Sequence, residues 1–210
     1  MNKKGLALHT TTGELGVAFV DNQGKYYCQS WDLGRDLANQ LQVKLQEFIA
    51  PLCLWSDLDF LVVAIGPGSY TSTRIGVVTA KTLAQQLNIP VYGISTLETL
   101  AWNQAINKPE NSLLAIEMRA NNEDIYGGIY QKKSNDLLIK ILADEQLKKQ
   151  KWMEIVSKYQ VKFEEKIEVI FAPDKLGFTA KNLLEIAEIK INCEGIINID
   201  SWQTLQPFYN

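Results

Sequence analysis

An unbroken apolar run, followed by a turn and a long helical pattern, constrains this fold more than any other stretch of the sequence. Residues 58–65 read LDFLVVAI, and the run FLVVAI after Asp59 is typical of a strand buried on both faces of a sheet. The turn GPGS follows, then the helical segment YTSTRIGVVTAKTLAQQL and a second short apolar run, IPVYGI. Strands that alternate with helices in this way indicate an α/β protein.

The flanking segments extend this pattern into two similar halves. Turn signals separate predicted strands at 5–9, 15–20 and 25–31, and leucines at helical spacing predict a helix over 37–49. A change of composition at NKPENS predicts a boundary between an N-terminal α/β lobe, 1–106, and a C-terminal α/β lobe, 107–210. The second half again begins with strands and then alternates: strands 112–117, 124–131, 137–142 and 167–171, a turn at KKSND, and helices 144–159 and 179–189.

Composition narrows the function classes. The chain is 46% hydrophobic and 21% charged, with a formal net charge of −3. Phosphate contacts need clustered cations, so this chain is not expected to bind nucleic acid strongly by itself. Its lysines over 148–166 fit a solvated helix face or an RNA patch. The first apolar run is too short for a signal sequence, and no run approaches the roughly 18 residues of a membrane span, which predicts a cytoplasmic protein.

The loop within AIGPGSYTSTRIG has two interpretations. A Gly-rich turn at a helix N-terminus can cradle phosphate with backbone N–H groups, although the Walker ending Gly-Lys-Ser/Thr is absent. The same residues can simply turn the chain, with Ser69 or Thr71 capping the helix. The candidate nucleotide loop consists of Gly66, Gly68, Ser69 and Thr71.

The helix predicted over 70–87 has only two charged residues, Arg74 and Lys81. Small residues at i, i+4 and i+8 would allow a second helix to pack closely, either the chain's own 37–49 helix or a helix of another subunit. The predicted interface residues are Arg74, Ile75, Gly76, Val77, Ala80 and Ala84, with Leu41 and Leu45.

Catalytic candidates are few. His9 is the only histidine, which excludes a metal site built on several histidines, and we expect its ring to be packed and hydrogen-bonded at the end of a strand. Three separated cysteines have no metal spacing, Cys53 is expected in the core, and no Gly-x-Ser-x-Gly elbow is present. Glu117 and Arg119 fit either ion pairs at a solvent edge or a contact site, and neither interpretation makes them catalytic. No catalytic or metal-binding residue is predicted.

The segment GPGSYTSTRIG resembles the signature of the TsaB (YeaZ) family, matching nine of eleven positions and departing at Ser72 and Thr73. Four more segments are similar to family segments: LALHTTTGELGVAF, PVYGISTLETLA, LLAIEMRANNEDIYGGIY and LQPFYN. The resemblance implies the two-lobed ASKHA (actin/Hsp70-like, RNase H-like) fold.

The resemblance also implies a function. Family members act as non-catalytic scaffolds that dimerise with TsaD, and TsaE completes the complex that transfers threonylcarbamoyl to the adenosine next to the anticodon of tRNA. The resemblance therefore implies that the chain has no cofactor of its own and that ATP or ADP binds only at the level of the complex. It also implies that the chain contacts tRNA only through the complex and does not bind a membrane. The resemblance does not decide whether the isolated chain forms a homodimer.

A nucleotide-dependent enzyme of the same fold, such as a small kinase or ATPase, is the alternative. His9 stands where the family usually carries Asp, and Mg²⁺ prefers oxygen ligands, which disfavours that alternative.

Overall fold

A computed structural model describes residues 3–134, 137–164, 166–195 and 198–208. The strands within these ranges are β1 (Gly5–His9), β2 (Glu14–Val20), β3 (Tyr26–Asp32), β4 (Phe60–Ala64), β5 (Val91–Ile94), β6 (Leu113–Arg119), β7 (Asp124–Ser134), β8 (Leu137–Lys148) and β9 (Glu168–Phe171). The helices are α1 (Leu37–Ile49), α2 (Tyr70–Leu87), α3 (Thr96–Ala105), α4 (Lys149–Phe163), α5 (Ala180–Glu194) and α6 (Ser201–Thr204). No helix in the described ranges has both the length and the apolar composition needed to cross a membrane.

The chain divides into two compact units, and the division differs from the predicted boundary after residue 106. The first unit comprises residues 1–96 and 174–209, and the second comprises residues 97–173. The C-terminal segment returns to the first unit because α5 packs on β1 and β2. A change in local composition marks a loop, but it carries no information about such a return.

The sheet of the first unit has the strand order β3-β2-β1-β4-β5. Strand β2 is antiparallel to β1 and β3, whereas β4 is parallel to β1 and β5. Every residue of β1 and β4 is buried, which confirms the prediction that the apolar run forms a strand covered on both faces. Because β1, β4 and β5 are parallel, their carboxyl ends meet at one edge of the sheet.

Helix α2 has the predicted bounds, and its small residues face the core of the first unit. Ala80 and Ala84 have no solvent exposure and belong to the apolar cluster that also contains Leu41 and Leu45. A Cβ atom on Gly76 would lie 3.1 Å from Thr10 Cβ and closer still to Thr10 Oγ1. The stripe therefore lies in the core of the first unit, against the end of β1 and in one cluster with Leu41 and Leu45 of α1. This agrees with packing against the chain's own 37–49 helix and corrects the interpretation of the stripe as a contact surface for another subunit.

The sheet of the second unit has the order β8-β7-β6-β9. Strand β8 continues to Lys148, and α4 begins five residues later than predicted, because residues 145–148 pair with residues 124–127 of β7. Lys132, Lys133 and Ser134 belong to β7 and not to a turn, and the rest of the predicted KKSND turn, 135–136, lies outside the described residues. The core under α4 contains Trp152 and Val156.

We predict opposite outcomes for two arginine substitutions on α2. Ala80→Arg places a charge in the core and should cost more than about 4 kcal/mol of unfolding free energy, whereas Val78→Arg should cost less than about 0.5 kcal/mol. Val78 is 56% exposed. Chemical unfolding followed by circular dichroism measures both. A folded Ala80→Arg variant of wild-type stability would contradict the described orientation of α2.

Candidate functional site

Three loops meet at the sheet edge where β1, β4 and β5 end. The Ser69 amide donates to the Thr11 carbonyl oxygen at 2.7 Å, and the Thr96 amide donates to the Gly66 carbonyl oxygen at 2.8 Å. The Thr96 hydroxyl donates to Thr11 Oγ1 at 3.1 Å. Ligands of open α/β sheets bind outside such carboxyl ends, and the candidate nucleotide loop lies at this edge of the sheet.

The two glycines of that loop pack against the chain's own atoms. A Cβ atom on Gly68 would lie 2.7 Å from Thr11 Cβ and closer still to the Thr11 carbonyl oxygen. Gly66 has a φ of +106°, which favours glycine, and a Cβ atom there would lie 3.3 Å from Phe208 Cβ. The Phe208 amide donates to the Ile65 carbonyl oxygen at 2.6 Å. The glycines thus serve close packing of three chain segments, and this geometry favours a turn over a phosphate cradle.

The polar residues after the glycines begin α2. Ser69 Oγ accepts the Ser72 amide at 3.4 Å, which confirms Ser69 as the cap. The Ser69 carbonyl oxygen accepts the Thr73 amide at 2.9 Å, and the Thr10 hydroxyl donates to the Ser72 carbonyl oxygen at 2.9 Å. Thr71 is exposed on the first turn. The cap and these bonds tie the start of α2 to the end of β1.

His9 is the last residue of β1 and is fully buried. Its side chain has no solvent exposure, and neither ring nitrogen has a hydrogen-bond partner among the described residues, so the prediction of a hydrogen-bonded ring is wrong. Burial lowers the pKa of His9 to about 3, which keeps the imidazole neutral at physiological pH. His9 therefore lacks the serine, cysteine or carboxylate neighbour that a catalytic dyad or triad requires.

The described residues contain no group of three histidine, cysteine or acidic side chains that could hold a metal ion. Cys53 packs at the margin of the first core, and burial raises the pKa of its thiol, which disfavours the nucleophilic thiolate. Neither Glu117 nor Arg119 forms an ion pair with a residue that the structure describes, so the interpretation as solvent-edge ion pairs finds no support. Arg119 Nη2 donates to Asn122 Oδ1 at 2.9 Å, whereas Glu117 is only 8% exposed.

The exposed side of α2 presents a different set of residues from the one that the sequence predicted. We define the exposed α2 face as Tyr70, Arg74, Ile75 and Val78. Tyr70 and Val78 are 61% and 56% exposed. The Arg74 guanidinium carbon lies 5.4 Å from the centre of the Tyr70 ring, and Arg74 Nη1 donates to the Tyr70 hydroxyl at 3.1 Å.

Only two predicted interface residues reach this face: Arg74 is exposed and Ile75 is partly exposed. The remaining six are buried in the first unit: Leu41, Leu45, Gly76, Val77, Ala80 and Ala84. Sequence reasoning missed Tyr70 and Val78, although their i, i+4, i+8 spacing with Arg74 marks a single helical face.

Comparison with known proteins gives consistent results. The family model described as TsaD, tRNA N6-adenosine threonylcarbamoyltransferase, matches residues 35–182. The chain is 43% identical over 100 residues to the tRNA threonylcarbamoyladenosine biosynthesis protein TsaB of Bacillus subtilis, covering 48% of this chain and 42% of that protein. It is 31% identical over 128 residues to the TsaB protein of Buchnera aphidicola from Schizaphis graminum, covering 52% of this chain and 60% of that protein. The chain thus spans about half the length of the curated relatives it matches.

Two solved structures share the fold over the whole chain. YeaZ from Pseudomonas aeruginosa superposes with a TM-score of 0.78 at 20% identity, covering 99% of this chain and 100% of that one. A second structure from that organism, described as an uncharacterized protein with similarity to the peptidase YEAZ, has a TM-score of 0.79 at 20% identity and covers 99% of both chains. Together with the mixed sheets, this likeness confirms the predicted α/β fold class.

We predict that Gly68→Ala destabilises the protein by about 2 kcal/mol, because the new methyl group overlaps the Thr11 backbone. Gly13→Ala is the matched control, since a Cβ atom there would lie 3.5 Å from Gly34 Cα, an ordinary contact. Urea unfolding of the two variants gives the comparison. Equal unfolding midpoints would show that the loop has room beside Gly68.

The buried His9 also predicts a pH dependence of stability. The unfolded chain protonates His9 near pH 6.5, whereas the folded chain does so only near pH 3, so stability is lost as the pH falls through this window. Replacing His9 with leucine should remove about 2 kcal/mol of the stability difference between about pH 7.5 and about pH 5. Urea unfolding of wild type and His9→Leu at both pH values measures this, and identical pH dependence would refute it.

Proposed function

We propose a role in tRNA threonylcarbamoyladenosine biosynthesis for this chain, which belongs to the TsaB (YeaZ) family within the larger family that the TsaD model describes. Within that pathway we propose a non-catalytic scaffold that binds TsaD and supports its activity. The observation that carries the proposal is the exposed α2 face.

The exposed α2 face has the composition of a binding surface. Tyrosine and arginine are enriched at protein interfaces and among their energetic hot spots. Arg74 has no acidic partner among the described residues and instead lies against Tyr70, so this cation is held in place without being neutralised. Val78 continues the surface, and Val43 is 48% exposed on the neighbouring helix α1.

The surroundings of His9 and of the two loop glycines in the first unit favour an accessory role rather than catalysis. A peptidase that depends on histidine needs an accessible imidazole, and the single histidine of this chain is buried, neutral and unpartnered within the described residues. The alternative is a kinase or ATPase. Such an enzyme needs a loop with a backbone that a phosphate group can approach. Thr11 and Phe208 occupy the approach to the two loop glycines, which counts against this alternative.

The proposal includes further partners by implication of the family. TsaE completes the complex, ATP or ADP binds only at the level of the complex, and tRNA is contacted through the complex in the cytoplasm. The net charge of −3 is consistent with indirect tRNA contact. A homodimer through the exposed α2 face is the competing use of the same surface.

We predict that Val78→Arg weakens the complex with TsaD. Multi-angle light scattering after size exclusion should detect a heterodimer of wild type with the cognate TsaD. Val78→Arg should weaken it by at least about 2 kcal/mol, roughly thirtyfold in affinity, because it introduces an unpaired charge at the contact. Leu54→Arg is the matched control, since Leu54 is 70% exposed in the same unit but lies outside the exposed α2 face.

Circular dichroism of each variant establishes that it is folded. A wild-type chain that forms no complex with TsaD would refute the scaffold role. Equal binding by wild type and Val78→Arg would refute the assignment of the surface. Scattering of the chain alone, with and without Val78→Arg, separates a homodimer on this face from a heterodimer.

A further inference from the structure

The second unit contains an open cleft of about 320 Å³ beneath α4. The residues that line it include Glu117 of β6, Val169 and Phe171 of β9, and Lys149, Trp152 and Met153 of α4. Glu117 and Phe171 are register partners in the parallel pair of β6 and β9. Volumes in this range are typical of small-molecule sites.

The cleft arises from the way α4 lies across its sheet. Gly127 of β7 leaves room for the Trp152 indole, because a Cβ atom there would lie 2.7 Å from Trp152 Cε3. Toward β9 the packing opens, since this strand has only four residues and ends the described sheet. Met153 and Phe171 remain 62% and 66% exposed at the opening, and they form an apolar rim.

Two buried polar groups at this cleft have no hydrogen-bond partner among the residues that the structure describes. Glu117 is 8% exposed, and its carboxyl group makes no hydrogen bond or ion pair with the described residues. Trp152 is 1% exposed, and its indole N–H likewise has no acceptor in the described part of the chain. Lys149 lines the same cleft but forms no ion pair with Glu117. Arg119, the cation nearest in sequence to Glu117, bonds Asn122 instead. Burying a carboxylate without a partner is unfavourable, so a cationic ligand would gain from pairing with Glu117.

We propose that this cleft binds a small molecule with an ammonium head and a compact apolar body. The ammonium group pairs with the Glu117 carboxylate in a charge-assisted hydrogen bond. The apolar body packs against Phe171, Met153 and Val169, and the aromatic rings add attraction for the cation. The proposed site lies apart from the exposed α2 face and does not depend on the scaffold role.

The test compares two probes that share one apolar body and carry opposite charges, 3-methylbutylamine and 3-methylbutanoate. Nitrogen-15 NMR of the tryptophan indole groups reports binding, with the Trp152 signal assigned from a Trp152→Phe variant. We expect saturable shifts of the Trp152 signal with the amine at millimolar concentrations, and none with the acid. No saturable shift with the amine, or equal shifts with both probes, would overturn the proposal.

Variants locate the ammonium contact. Glu117→Gln should weaken amine binding at least about tenfold, and Phe171→Ala should also weaken it while leaving the core intact. Glu154→Gln is the matched control, because Glu154 is exposed on α4 and does not line the cleft. Unchanged amine affinity in either Glu117→Gln or Phe171→Ala would refute the site. Binding of TsaD should be unaffected in all three variants, which keeps this test separate from that of the scaffold role.

Discussion

The first unit depends on the close approach of the end of β1 to the segment that follows β4. Gly68 packs against Thr11, and Gly76, which lies within α2, packs against Thr10. A larger residue at either glycine would push the two segments apart. The Ser69 amide bond to Thr11 fixes the register of this contact. The contact fixes the orientation of α2 about its own axis. This orientation determines which side chains of the helix are exposed to solvent.

Local patterns predicted much of the fold. Strand β1 and helices α1 and α2 have the predicted bounds, because continuous apolar runs and leucine spacing are properties of the segment itself. The start of α4 was wrong for a non-local reason. Residues 145–148 are compatible with a helix, but β7 offers them a ladder of backbone hydrogen bonds, and strand formation depends on such neighbours more than on propensity. The return of α5 to the first unit is non-local in the same sense.

The candidate site was predictable in position but not in detail. A glycine-rich turn before a helix has the same sequence whether a phosphate or the chain itself fills the space beside it, and here Thr11 and Phe208 fill it from distant positions. The low charge of α2 was visible in the sequence, but composition could not tell which of the two uncharged stripes of the helix faces the sheet. For the same reason, nothing local indicated that His9 would be buried without a partner.

The first unit is formed by two separate segments of the chain, and these segments leave the ribosome at different times during synthesis. Its five strands are complete by residue 94, but α5, which packs on β1 and β2, begins only at residue 180. The second unit is one continuous insertion, 97–173, so its core can form first as the chain leaves the ribosome. Until the last helices emerge, the nascent chain carries an apolar sheet with one face uncovered, the kind of surface that chaperones exist to protect.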